Sequence, residues 1–98
     1  MNAAMAIQVV PKTTDTAELL RIVDAAIATI DASGLAYEVG AFETTVEGDL
    51  TDLIALIEKI QQDAVQAGAE QISNYIKLTY APSAHILTTE EKLAKYRS

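Results

Sequence analysis

The chain has 98 residues, half of them hydrophobic, with a formal net charge of -7 and neither cysteine nor tryptophan. That length supports one domain around one core. The acidic balance weighs against a protein that tracks nucleic-acid phosphates or lies on an anionic membrane, and suits a cationic partner.

The first residues, Met1 to Ala6, place no basic residue ahead of an apolar run, so a secretory leader is not expected. No apolar run approaches the roughly 20 residues of a membrane span. The expectation is a soluble cytoplasmic domain. The absence of cysteine removes disulfides, Cys-ligated zinc and a thiol nucleophile.

Ala4 to Val10 reads as a first strand, with Ile7 and Val9 on one face and Ala6, Gln8 and Val10 on the other. Pro11 is expected to end it. Asp15, with Glu18 three residues on, opens a helix. Its apolar stripe is Leu19, Leu20, Val23, Ala26, Ile27 and Ile30, and Ser33-Gly34 stops it with Gly34 left-handed. A second strand alternates through Leu35, Tyr37 and Val39. Gly40-Ala41 marks the connection, and a third strand runs from Phe42 to Glu47. Asp49 with Asp52 opens a second helix, striped by Leu53, Ile54, Leu56, Ile57, Ile60, Ala64 and Val65 and ended by Gly68. Ala69 to Tyr80 forms the fourth strand, broken by Pro82. After a loop, Thr88-Thr89-Glu90-Glu91 has the form of a capping box ahead of a short terminal helix.

The order strand, helix, strand, strand, helix, strand, with one apolar stripe per helix, predicts an α+β fold. The simplest arrangement is ferredoxin-like βαββαβ, a four-stranded antiparallel sheet with two helices on one face. Residues 1–82 would form this domain, and residues 83–98 a loop and short helix belonging to it. Ile7, Val9, Leu35, Tyr37, Val39, Thr44, Val46, Ile72, Ile76 and Leu78 should face the helices. Asn74 interrupts that set, as a bulge or a buried amide held by backbone groups. The opposite face carries Ala6, Gln8, Val10, Glu38, Glu43, Thr45, Glu47, Ser73, Tyr75, Lys77 and Thr79.

Two carboxylates and a hydroxyl in a row on Glu43, Thr45 and Glu47 require water, a partner subunit or a ligand. Ionised carboxylates suit a cation or the amine of a heterocycle. The alternative for Glu43 and Glu47 is solvation or pairing with Lys77 across the sheet. Tyr75 suits stacking on a flat ring or packing on a neighbouring subunit. Gln8 and Ser73 complete the candidates by geometry. One aromatic and one lysine are too few for an RNA-stacking platform. His85, the single histidine, falls in a loop with no nucleophile at a recognisable spacing. No metal-ligand spacing or phosphate loop is present.

Several stretches resemble the thiamine-binding protein family. They are Ile7-Gln8-Val9-Val10-Pro11, Ser33 through Gly40, Thr44-Thr45-Val46-Glu47-Gly48-Asp49, Ala67-Gly68-Ala69 and Ile76-Lys77-Leu78. The resemblance spans nearly the whole chain, and its most specific element is the Thr-Thr-Val-Glu-Gly run. It implies a ferredoxin-like fold, homodimers or homotetramers built through the sheets, and non-catalytic binding of thiamine or hydroxymethylpyrimidine near subunit interfaces, with no cofactor; together with the Glu43, Thr45 and Glu47 row this puts the expected ligand on the open, helix-free face of the sheet. The chain departs from the family at Glu70 and Gln71, where a basic residue is frequent, and at Ala41 and Glu43, where Gly or Pro is. The alternative function is a structural or interaction protein whose open face only builds the oligomer, with Thr88–Arg97 clasping a neighbour. A sensor domain ranks third and an enzyme last.

Overall fold

A computed structural model describes residues 1–83 and 86–96. The elements are β1 (Ala3–Pro11), α1 (Thr16–Ala32), β2 (Ala36–Val39), β3 (Thr44–Gly48), α2 (Leu50–Gln66), β4 (Ile72–Tyr80), α3 (Thr89–Leu93) and a closing 3-10 turn (Ala94–Tyr96). The four strands form one antiparallel sheet in the order β2-β3-β1-β4. The expected ferredoxin-like architecture is therefore present, with α1 and α2 on one face.

The helix boundaries follow local chemistry. Asp15 caps α1 by accepting the Ala17 N–H at 3.0 Å, an interaction that contributes about 1 kcal/mol. Gly34 and Gly68 take positive φ, 77° and 116°, just past the two helices. Asp49 occupies the N-cap of α2 without a side-chain bond. The Asn2 amide oxygen accepts the Leu50 N–H instead, at 2.9 Å.

The core lies between the helices and the two central strands. Met5, Ile7, Val46, Leu53, Ile60 and Ile30 are buried in it. A satellite of Ile22, Ala64 and Ala69 closes the α1–α2 end. The helices leave β4 half covered. Ile76, Leu78 and Tyr80 point to the helix side, opposite Ile7, Met5 and Ala3, yet remain 38%, 42% and 49% exposed. Asn74 sits in unbroken register opposite Val9. Its partner is a side chain rather than backbone: Gln61 of α2 exchanges two amide hydrogen bonds with it, at 2.9 and 2.6 Å.

Strand lengths differ from the sequence expectation in a way that matters. Pro11 belongs to β1, paired with Ile72. Phe42 and Glu43 belong to a turn rather than to β3. The Gly40 N–H donates to the Glu43 carbonyl at 2.9 Å, and a Cβ at Gly40 would stand 2.8 Å from that oxygen. The chain can close there only with glycine. β1 consequently runs nine residues and β3 five, and the β1–β3 ladder stops at Ile7↔Thr44.

Candidate functional site

The open face can be followed as rows across the sheet. Ala36, Glu47, Ala4 and Thr79 form one row, and Glu38, Thr45, Ala6 and Lys77 the next. Gln8 lies opposite Tyr75, and Val10 opposite Ser73, in the two rows beyond. The acidic row looks away from α1 and α2, since its odd-numbered residues alternate with buried Thr44 and Val46. It does not face empty space, however.

The terminal segment folds back over the first two rows. Thr88 caps α3 through a complete capping box with Glu91. The Thr89 N–H donates to the Glu47 carboxylate at 3.1 Å. The small side chains of Ala4 and Ala6 leave a trough in the central strand. Thr45, Lys77 and Thr79 wall it and Thr89, Lys92 and Leu93 roof it, around a cavity of about 290 Å³. The Glu43 carboxylate accepts a hydrogen bond from the Lys77 ammonium, with Nζ 3.0 Å away.

A second cleft opens where β3 stops short of β1. It lies between the outer part of β1, the length of α1 from Leu19 to Ile30 and the Gly40–Glu43 turn, with a volume of about 330 Å³. Leu19, Val23, Ile27, Ile7 and Val39 give it apolar walls. Phe42 stands beside its mouth, 83% exposed. Gln8, Glu43 and Thr44 are polar residues of its lining. Both volumes sit near the roughly 300 Å³ lower end of small-molecule sites, which suits one or two small rings rather than a large cofactor.

The six residues singled out from the sequence divide accordingly. Gln8 and Glu43 line the cleft at the strand notch, and Thr45 lines the roofed trough. Glu47 holds the α3 backbone. Tyr75 and Ser73 occupy the uncovered rows, exposed. The sequence pattern puts Ala6, Lys77 and Thr79 on this face without assigning them to a binding site, and it gives no site role to Ala4, Phe42 or Lys92. Ala4 and Ala6 in a central strand were the available signal, because small residues there imply space or a close neighbour. His85 and Arg97, the latter in the proposed clasp, lie outside the described residues. Among the described residues no cluster of acidic and histidine side chains is arranged to hold a metal, and no helix is long and apolar enough to cross a membrane.

Two ionisable groups with displaced titration lie away from both clefts. The Tyr37 hydroxyl donates to Asp31 at 2.8 Å, which pushes its pKa up. Asp63 is pulled down, first by the Thr29 hydroxyl at 2.7 Å and then by Lys59. They tie α1 to β2 and α1 to α2, so their effect belongs to the scaffold.

The element order and the antiparallel sheet define a small α+β domain of the ferredoxin-like type. The chain belongs to the thiamine-binding protein family, whose model matches residues 5–97. It is 33% identical over 93 residues, 95% of each chain, to a UPF0045 protein of Clostridium perfringens. Two solved structures are similar throughout. A Bacillus cereus domain of unknown function, DUF77, has 43% identity and a TM-score of 0.87, with 100% of this chain and 92% of that one covered. A candidate thiamine biosynthesis/salvage protein from Thermotoga maritima has 31% identity and a TM-score of 0.86, covering 99% and 100%.

Proposed function

We propose that this protein is a non-catalytic binder of thiamine or a related pyrimidine such as hydroxymethylpyrimidine. The observation that carries the reading is the notch cleft: a largely apolar slot of about 330 Å³ whose lining includes the exposed Phe42 together with Gln8 and Glu43. A pyrimidine ring fills the apolar part, where displacing water from flat apolar walls stabilises it. A cationic thiazolium then lies toward Glu43 and the face of Phe42, whose ring attracts a cation by roughly 0.5–2 kcal/mol. No group in this account has to transfer a proton, which is why binding is favoured over catalysis. The family match to thiamine-binding proteins supports the same ligand class.

Assembly is part of the proposal. β4 is a nine-residue edge strand whose helix-side residues Ile76, Leu78 and Tyr80 are half exposed. A long apolar edge invites pairing with another chain, and a second copy would bring its own Tyr75 row beside the open face. The second reading is that sheet and edge serve only to build such an oligomer; the same edge favours it.

Calorimetric titration with thiamine and with hydroxymethylpyrimidine decides between them. Protein near ~100 μM is sufficient for a micromolar site. Heat on addition of either ligand, with Glu43→Gln weakening thiamine more than the neutral pyrimidine, supports the binder. No binding of either, together with a ligand-independent oligomer in light scattering, removes it and leaves the structural reading.

A further inference from the structure

The notch exposes main chain as well as side chains. Hydrogen bonding alternates along an antiparallel strand, so neighbouring residues turn their backbone groups to opposite sides. At the two ends of the β1–β4 pair, the Lys12 N–H donates to Gln71 and the Asn2 carbonyl accepts from Ala81. Even-numbered residues of β1 therefore bond to β4, and odd-numbered ones turn toward β3. Ala3, Met5 and Ile7 meet Gly48, Val46 and Thr44 there. Val9 is next, and the residue that would face it is Phe42. The Gly40–Glu43 turn has already carried Phe42 out of the sheet. Among the described residues, no backbone group bonds to Val9 on that side. Its N–H and C=O face the gap where a β3 residue would stand, beside the cleft that Val9 lines.

The free edge is one residue long. Pro11, the following odd-numbered position, has no N–H, and its carbonyl accepts from Thr13 at 3.1 Å. One donor beside one acceptor is too little for a docking strand, which needs about three residues or more. It is the right amount for a flat ring. In a hydrogen-bonded antiparallel pair, two residues exchange both N–H···O=C bonds. A heteroaromatic ring with a nitrogen acceptor next to an exocyclic amine offers the same acceptor–donor pair as the missing residue.

We infer that the main chain of Val9 reads the ring-nitrogen and amino edge of an aminopyrimidine, which takes the place of a β3 residue in the sheet. This rests on the reading of the notch as the pyrimidine site and adds its basis of recognition. The ring nitrogen accepts from the Val9 N–H, and the amine donates to the Val9 carbonyl. Specificity then resides in backbone, and the side chains of Leu19, Val23 and Val39 supply only walls.

The experiment is a titration of isotope-labelled protein with hydroxymethylpyrimidine and with the same ring lacking the amine. The Val9 amide resonance should move downfield and its hydrogen exchange slow with the first ligand. The deamino ring should bind about tenfold more weakly, the typical effect of losing one hydrogen bond. Val9→Pro removes the N–H without removing a ladder bond, as Pro11 already does two residues on. It should lose about tenfold in affinity while keeping the wild-type oligomer, and Val9→Ala, which keeps the N–H, should bind more tightly than Val9→Pro. If Val9→Pro does not fold, the amide shift and the ligand pair decide alone. Tight binding of both rings with the Val9 amide unmoved overturns the inference and leaves the proposed function standing. Binding of neither ligand removes both.

Discussion

The Glu43–Lys77 pair gives the sharpest test of how charge acts at the notch. Lys77 Nζ lies 3.0 Å from the Glu43 carboxylate, and the two side chains are 77% and 37% exposed. An ion pair that open contributes about 0–1 kcal/mol to stability. Lys77→Gln should therefore leave the fold nearly unchanged, with a Tm shift below roughly 8 °C for a chain of this size. Its effect on a cationic ligand should be larger in relative terms. The substitution frees a carboxylate on the cleft wall and removes a competing cation. Two unit charges about 4 Å apart in water gain about 1 kcal/mol, which is about fivefold in affinity. Thiamine should bind about fivefold more tightly, and the neutral hydroxymethylpyrimidine should be almost indifferent. Calorimetry at low ionic strength measures both. Repeating it near ~1 M salt, where the Debye length falls to about 3 Å, should erase most of the gain. An equal change for both ligands, or none for thiamine, would refute the argument that Glu43 receives the cation.

Three further outcomes follow from the geometry. Ile60→Ala opens a void at a fully buried position and should cost about 2–5 kcal/mol in denaturant unfolding; a loss under 1 kcal/mol would mean the α2–sheet contact is looser than described. Thr88→Ala removes the capping box of α3 and should weaken that helix locally by about 1 kcal/mol, seen as faster amide exchange over residues 89–96 with an unchanged global midpoint. Tyr37, raised by its bond to Asp31, contributes stability that is complete below the pKa of an unfolded tyrosine, about 10. That contribution is lost as pH rises through the higher folded value. Tyr37→Phe should flatten this part of the alkaline stability profile, and an unchanged slope would assign the loss to other groups.

The element order was legible because each helix carries both a cap signal and an apolar period. The helix rotations were less so. Leu20, Ile54 and Val65 belong to the predicted stripes yet are exposed, while Ile22 and Thr29 are buried. Periodicity gives the width of an apolar stripe, but α1 packs against α2 as well as the sheet, and that second contact buries a face the sheet alone does not require. β3 began two residues late because alternation continues through Phe42 and Glu43 without a break. Only the close approach at Gly40 reveals the turn. The capping box of α3 was readable; its docking was not, because the acceptor of the Thr89 N–H lies 42 residues upstream. The acidic row needs partners, and the chain supplies them to two of its members internally: Lys77 to Glu43 and the Thr89 N–H to Glu47.

That internal satisfaction changes what the net charge of -7 does. A bulk negative field raises the encounter rate of a cationic ligand, but it does not select one heterocycle over another. Selection needs groups held at fixed spacing, and the carboxylates of the open face are already occupied. At the notch, the groups with fixed spacing and no internal partner among the described residues are those of the Val9 main chain, left over because a nine-residue strand borders a five-residue one. Pro11 shows the same edge from the other side. Its missing N–H points where no β3 residue stands, so the proline costs the sheet no bond. Recognition by that edge survives changes of side chain at Val9 and fails when the strand lengths change. Extending β3 by relaxing the Gly40 turn would therefore silence the site even with every lining side chain in place.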